Sequence, residues 1–300
     1  MIEKLIYLTL FSFLLLACQQ KGEKPVPGNA FLADVIPNSN PLDFSPVKVP
    51  EGMLIHRGVF SPDFSKFYYT LSPPDFSQFD IYVMEKVGDA WNPGRKASFN
   101  SEHFDHGMSF SPDGKKLYFS SSRPIPKEGF ANSWHIWKVE RAGESWGEAQ
   151  YVEIPNLQDK LLSHPSIGKS GRLYFHASNL DFSEMHIYYA DLVEGNYQEA
   201  LKWENPEWEN LQTCTPYISP NEDFLIFATI SNHLDLMISH KTTDGKWTKA
   251  RKLNEVINTK GQGNPYLSPD QKFLFYAAEG DTSSQWTLKW VNIESELKKD

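Results

Sequence analysis

Two cysteines in 300 residues, Cys18 and Cys214, leave the chain without a disulfide framework, so its fold must be held by packing. Basic charge is also scarce. Lys and Arg number 29 against 38 Asp and Glu, a net charge of −9, which leaves no stripe to neutralise phosphates. A nucleic-acid partner and docking on anionic lipid through a polybasic patch are therefore excluded. No Gly-rich phosphate loop, G-x-S-x-G elbow or C-x-x-C pair occurs, and helical periodicity is missing throughout. The apolar run from Leu5 to Ala17 is too short to span a bilayer. What the chain does have is aromatic side chains, 14% of residues within a 40% hydrophobic composition, enough for a large core.

Residues 1–17 have the form of a signal peptide: a short charged start at Glu3 and Lys4, then the apolar run. It ends in Leu15-Leu16-Ala17-Cys18, which resembles the bacterial lipoprotein lipobox. That resemblance implies lipidation of Cys18 as the mature N-terminus, the alternative being an ordinary signal peptide with an incidental cysteine. Acyl chains contribute about 0.8 kcal/mol per buried CH₂, so a Cys bearing two or three of them anchors without spanning. Gln19, where inner-membrane retention is associated with Asp, favours the outer membrane; both its periplasmic and its surface side stay open. Residues 18–42, rich in Pro, Asn, Gly and charge, are expected to form the lipidated Cys and a flexible tether, with a single domain over 43–300.

Within that domain one phrase recurs about every 50 residues: FSPDF from Phe60, FSPDG from Phe110, IGKSG from Ile167, ISPNE from Ile218 and LSPDQ from Leu267. Ser followed by Pro favours a type I turn, and Gly, where present, accommodates a left-handed residue as the next strand starts. After each turn comes a β-rich segment (KFYYT, KLYFS, RLYFH, FLIFA, FLFYA). A third strand follows (DIYVM, HIWKV, HIYYA, DLMIS, TLKWV), then in four cases a tight polar turn and Trp91, Trp146, Tyr197 or Trp247. Each unit reads as a four-stranded antiparallel meander, the size of one propeller blade. The four aromatics, one per unit, mark packing between blades. The fifth unit ends at its third strand, and Phe44 to Val49 resembles a fourth-strand pattern, so the N-terminal strand is expected to close the last blade. An all-β, five-bladed propeller results, with six blades as the alternative count.

These motifs resemble the WD40-like, TolB-type β-propeller repeat family, whose unit is an apolar-Ser-Pro-Asp-Gly turn followed by an (Asp/His)-Ile-aromatic strand. The resemblance runs from about Leu42 to Asn292; Gly168-Lys169-Ser170 and Asn221-Glu222 depart from it. It implies a fold, and with it the family's range from envelope scaffolds through peptidase propellers to polysaccharide lyases.

One face of such a propeller carries the tight turns, and the other carries long, varied loops, which makes the varied face the candidate binding face. His56, His106 and His164 stand near one register before the turn, where the innermost strands meet the central channel, with Asn264 at the corresponding place in the fifth repeat. Arg57, His103, Asp105 and Arg123 lie nearby in sequence, and together these eight residues are the candidate ligand-binding set. Three readings stay open. The ring is a wet channel mouth whose histidines satisfy the backbone; or it binds a polar ligand such as a glycan or peptide end, with Trp134, Phe130 and Trp286 as stacking surfaces; or His56, His106 and His164 hold a divalent metal or form a catalytic centre. The pair His103 and His106 lacks the helix that makes such spacings converge on a metal. Cys214 reads as a small buried hydrophobe rather than a nucleophile.

The function expected from these features is non-catalytic: a monomeric, cofactor-free recognition or scaffolding module of the cell envelope, meeting the membrane through Cys18 and another envelope protein, peptide or glycan through its loops. A carbohydrate-active lyase or hydrolase with a His-rich channel mouth is the alternative.

Overall fold

The computed structural model describes residues 30–129, 133–205, 211–231, 233–280 and 285–298; the leader, Cys18 and Phe130 lie outside them. The repeated turn closes on its own side chains. Ser61 Oγ donates to Asp63 Oδ1 (2.5 Å) and accepts the Lys66 N–H (2.9 Å), and Ser111 and Ser268 do the same with Asp113 and Asp270. The fourth turn residue has positive φ in every repeat: Phe64, Gly114, Gly171, Glu222 and Gln271. The two departing repeats complete each other. Ser170 stands where the first, second and fifth turns carry Asp, and its N–H and hydroxyl donate to the Glu222 carboxylate, which reaches across from the next blade. Gly168 permits this, because a Cβ there would collide with that carboxylate.

Antiparallel pairing then builds five blades. Their innermost strands are Leu54–Phe60, Asp105–Phe110, Leu161–Ile167, Gln212–Ile218 and Gln262–Leu267. The outermost are Arg95–Lys96, Gln150–Tyr151, Leu201–Lys202, Arg251–Lys252 and, for blade 5, Leu42–Asp43. No helix occurs among the described residues. The second strands, such as Lys116–Ser121 and Leu173–Ser178, are buried almost throughout, as expected where each blade is covered on both faces. The once-per-blade aromatics join neighbours: Trp146 Nε1 donates to Tyr68 Oη (3.0 Å), and the Tyr197 and Tyr118 hydroxyls bond at 3.2 Å.

The N-terminal strand does finish blade 5, but two residues earlier than its sequence pattern implies. Leu42 pairs with Trp290, Asp43 with Lys289, and the Phe44 N–H donates to the Leu288 carbonyl (2.8 Å). Phe44 thereby turns its ring onto Phe60, Phe67, Phe275 and Trp290, with centroids 5.1 to 5.9 Å away. The end of the expected tether is packed as well. Phe31 is only 5% exposed, lies against Phe60, Phe64, Phe273 and Trp290, and accepts the Trp91 indole N–H on its carbonyl (2.7 Å). Burying an aromatic ring outweighs the polar composition around it, so the end of the expected tether contributes Phe31 and Ala33 to the core. The contacts to Phe64 and Trp91 also place this segment on the tight-turn face.

Phe31→Ala and Phe44→Ala should each lower the unfolding free energy by roughly 3 kcal/mol or more, as large-to-small changes in a core do. Chemical denaturation measures both. A change within about 0.5 kcal/mol for Phe31→Ala, typical of a free surface, would return residues 31–42 to the tether.

Candidate functional site

Every innermost strand carries a β-bulge near its middle, where two residues oppose one on the neighbouring strand. In blades 2 to 5 the bulged pairs are Gly107-Met108, His164-Pro165, Thr215-Pro216 and Asn264-Pro265, and the first of each pair has positive φ. In blade 1 the bulge falls one residue earlier, on His56-Arg57. Arg57 crosses the axis. Its Nη1 donates to the Pro165 carbonyl (3.2 Å), and its Nη2 donates to the carbonyls of Pro216 (2.8 Å) and Pro265 (3.0 Å). One guanidinium thus ties blade 1 to blades 3, 4 and 5 and closes the channel. Burial lowers its pKa to about 10, so it stays charged at neutral pH.

Above this plug, on the loop face, lie four histidines. His56 Nε2 shares a hydrogen bond with Ser72 Oγ (2.8 Å), and Ser163 Oγ lies 3.3 Å from His106 Nε2 and 3.0 Å from His164 Nδ1. His176 Nδ1 accepts the Thr215 N–H at 3.2 Å, and its ring stacks on His164 with centroids 5.0 Å apart. Gly107 leaves the room that His164 fills; a Cβ there would lie 3.1 Å from the imidazole. Burial holds all four imidazoles below their ordinary pKa, His56 at about 4 and His176 at about 3, and the Arg57 charge adds to this for His106, His164 and His176. The well is therefore neutral in its side chains above a fixed cation. Asn264 completes it: its N–H donates to Thr215 Oγ1 (3.3 Å), while its buried Oδ1 has no protein partner.

An aromatic strip borders the well. Phe76 stacks on Phe79 (5.9 Å, 7°), Phe79 meets Trp134 edge-on (5.6 Å), and Trp134 meets Phe182 edge-on (6.3 Å). Phe79 and Trp134 both touch His106, at 5.3 and 4.1 Å. The two ends of the strip are presented by the same device. In Asp75-Phe76-Ser77 and Asp181-Phe182-Ser183 the Asp Oδ1 accepts both the N–H and the hydroxyl of the Ser, and the Phe between them has positive φ. Phe76 and Phe182 are left 49% and 52% exposed, which is unusual for rings held so firmly. Beside Trp134 a cavity of about 510 Å³ opens between blades 2 and 3, lined by His103, Phe104, Leu180 and Phe182.

The structure thus gathers His56, Arg57, His106, His164 and Asn264 from the sequence set, and it separates the others. Asp105 and Arg123 pair with each other (3.1 Å); Asp105 also accepts from Ser101, and Arg123 donates to the Phe99 carbonyl and lies over the Phe119 and Trp137 rings. They brace the junction of blades 1 and 2 and make no bond to the four histidines. His103 is a rim residue. Trp286 lines a separate cavity with Phe44, Val47 and Met53, and Phe130 lies outside the described residues. Among the described residues no group of three or more His, Cys, Asp or Glu is placed to hold a metal ion. Cys214 is buried, and burial pushes its thiol up to about 12. Sequence reasoning missed His176, which sits on a second strand at the register of Ser120, and it missed Phe76, Phe79 and Phe182. The Asp-Phe-Ser tripeptide was no signal for them, since it occurs four times, at 43–45, 63–65, 75–77 and 181–183, and at 63–65 it forms the same turn on the other face.

No family model matches the chain, and no curated protein matches it. Solved structures align with it as propellers. TolB from Acinetobacter baumannii does so at 15% identity over 79% of this chain and 54% of its own, with a TM-score of 0.47. The catalytic domain of a GH62 α-L-arabinofuranosidase from Coprinopsis cinerea aligns at 12% identity over 85% and 97% (TM-score 0.48), and a gluconolactonase from Xanthomonas campestris at 9% over 80% and 86% (0.46). The chain spans about half the length of that TolB. These likenesses carry nothing about activity.

The buried histidines set a pH dependence. In the unfolded chain they titrate near 6.5, so as pH falls below that value the unfolded state takes up protons that the folded state refuses, and stability drops. Each deeply buried imidazole should remove up to about 1.4 kcal/mol per pH unit between pH ~6.5 and its folded value, and nothing above pH ~7. Urea midpoints should be level from pH 8 to 7 and fall steadily from about 6.5 to 4.5, with a shallower fall in His176→Gln. A level profile across that lower range would mean that the imidazoles are solvated.

Proposed function

We propose that the protein is a lipid-anchored recognition module of the cell envelope that binds a glycan or peptide segment on its loop face without turning it over. The observation that carries this reading is the aromatic strip: two rings held half-exposed at the ends of a continuous path beside a neutral polar well. Rings fixed in this way give large contact area at little entropic cost, and the imidazoles, Ser163 and the free Asn264 Oδ1 offer directional hydrogen bonds next to them. The described residues lining the cavity beside Trp134 include no carboxylate, so paired-acid glycoside chemistry has no obvious home there. A second reading, a carbohydrate-active lyase or hydrolase, is favoured by one observation: His106 and His164 are kept neutral, as a general base must be.

Trp134→Ala and Phe182→Ala should each weaken capture of envelope glycan or peptide fractions by about tenfold or more, the effect expected of truncating an aromatic anchor. Calorimetric titration with the mature chain measures this. Unchanged capture in both variants removes the loop-face reading, and product formation that disappears in His106→Ala moves the assignment to the enzyme.

The anchor is tested separately by Cys18→Ser in the native cell. The variant is expected to leave the membrane fraction, and retention there would exclude lipidation as the attachment.

A further inference from the structure

A larger cavity, about 600 Å³, opens at the other end of the axis, on the tight-turn face, and takes lining residues from all five blades. Its origin is a broken symmetry in the innermost strands. The position facing Tyr68, Tyr118, Tyr174, Ile226 and Phe275 of the second strands is Val59, Ser109, Ser166, Tyr217 and Tyr266 in turn. Blades 4 and 5 thus bring tyrosines where blades 2 and 3 bring serines, and the missing side-chain volume is the cavity. Tyr217 and Tyr266 meet edge-to-face (5.9 Å, 89°) and form a rigid aromatic corner. Ser166, Tyr217 and Tyr266 each directly follow a proline whose carbonyl holds Arg57, so the guanidinium layer is the floor. Pro62, Pro112, Pro220 and Pro269 form most of the rim.

Several polar groups of this bowl already have partners. Tyr217 Oη bonds with Gln271 (2.9 to 3.1 Å), Tyr266 Oη donates to the Phe60 carbonyl (3.2 Å), Ser166 Oγ accepts the Ile218 N–H (3.0 Å), and Lys169 Nζ donates to Asn221 (2.8 Å). Tyr217, Tyr266 and Ser166 on the floor thus offer a ligand little further hydrogen bonding, whereas an apolar ring gains contact against the aromatic corner. The volume suits a small molecule, which typically fills 300 to 1,000 Å³ (about).

We propose that this end of the channel is a second binding site, for a neutral, ring-bearing, mostly apolar small molecule seated against the Tyr217–Tyr266 corner in the space left by Ser109 and Ser166. It is independent of the loop-face reading, since the Arg57 plug separates the two mouths.

The probe is N-phenyl-1-naphthylamine, titrated by fluorescence against the mature chain. Saturable binding at one site is expected, with Ser109→Tyr weakening it at least about tenfold by filling the slot with the residue that blades 4 and 5 already carry. Ser109→Gln, a milder change if the first disturbs folding, should give an intermediate loss. Trp134→Ala and Phe182→Ala should leave probe binding unchanged. The proposal is overturned by a lack of saturable binding, by full binding in both Ser109 variants, or by loss in the Trp134 and Phe182 variants instead. Equally tight binding of the anionic 8-anilinonaphthalene-1-sulfonate would overturn the neutral class of ligand.

Discussion

The Arg57 guanidinium, donating to three backbone carbonyls from three other blades, is the contact on which the rest of the ring depends. A buried cation is costly unless it is hydrogen-bonded, and here the bulges of blades 3, 4 and 5 accept three bonds from Nη1 and Nη2, while the buried Nε has no protein partner. Proline at the second bulge position explains why those carbonyls are available. It has no N–H to satisfy, so the bulge can aim a carbonyl at the axis without leaving a donor stranded. Blade 2 has Met108 at the same place, whose Sδ accepts from Thr70 Oγ1 (3.6 Å), and blade 1 supplies the arginine itself. The plug does more than join blades. It divides the axis into two mouths and sets a positive charge that favours the neutral form of His106, His164 and His176.

Around that hub, what repeats is packing and what departs from the repeat is the site. The Ser-Pro-Asp turns, the buried second strands and the outer aromatics do the same job wherever they recur. Arg57 where blades 3 to 5 have a left-handed polar residue, Gly107 opposite His164, and serines facing tyrosines are departures from the repeat, and each shapes one of the two mouths. The coupled departures at Gly168 and Glu222 are the exception, since they restore the turn rather than open anything.

The fold was legible in the sequence because its turn chemistry is local: Ser, Pro and Asp at fixed offsets form the same hydrogen bonds in the first, second and fifth repeats. Closure by the N-terminal strand was legible for the same reason, whereas its register was not. Leu42 and Asp43 hold two ladder positions, and Phe44, the expected first strand residue, is drawn into the aromatic cluster by rings from distant repeats. Composition likewise misjudged residues 31–42, because one phenylalanine in a buried slot outweighs the prolines and asparagines around it. In the site, nearness in sequence misled. Asp105 and His106 are consecutive on a strand, so their side chains leave on opposite faces, and only His106 reaches the well. His176 lies beside His164 only because two adjacent strands pair, which spacing along the chain does not encode.

The two mouths are also unequal in their surroundings. Phe31 packs against Phe64 and Trp91, both on the tight-turn face, so the chain joins the propeller from that side. The loop face carries a continuous aromatic path with half-exposed rings at both ends, a shape that suits an extended partner. The bowl on the turn face, rimmed by prolines and floored by Arg57, encloses a volume that suits a small molecule instead.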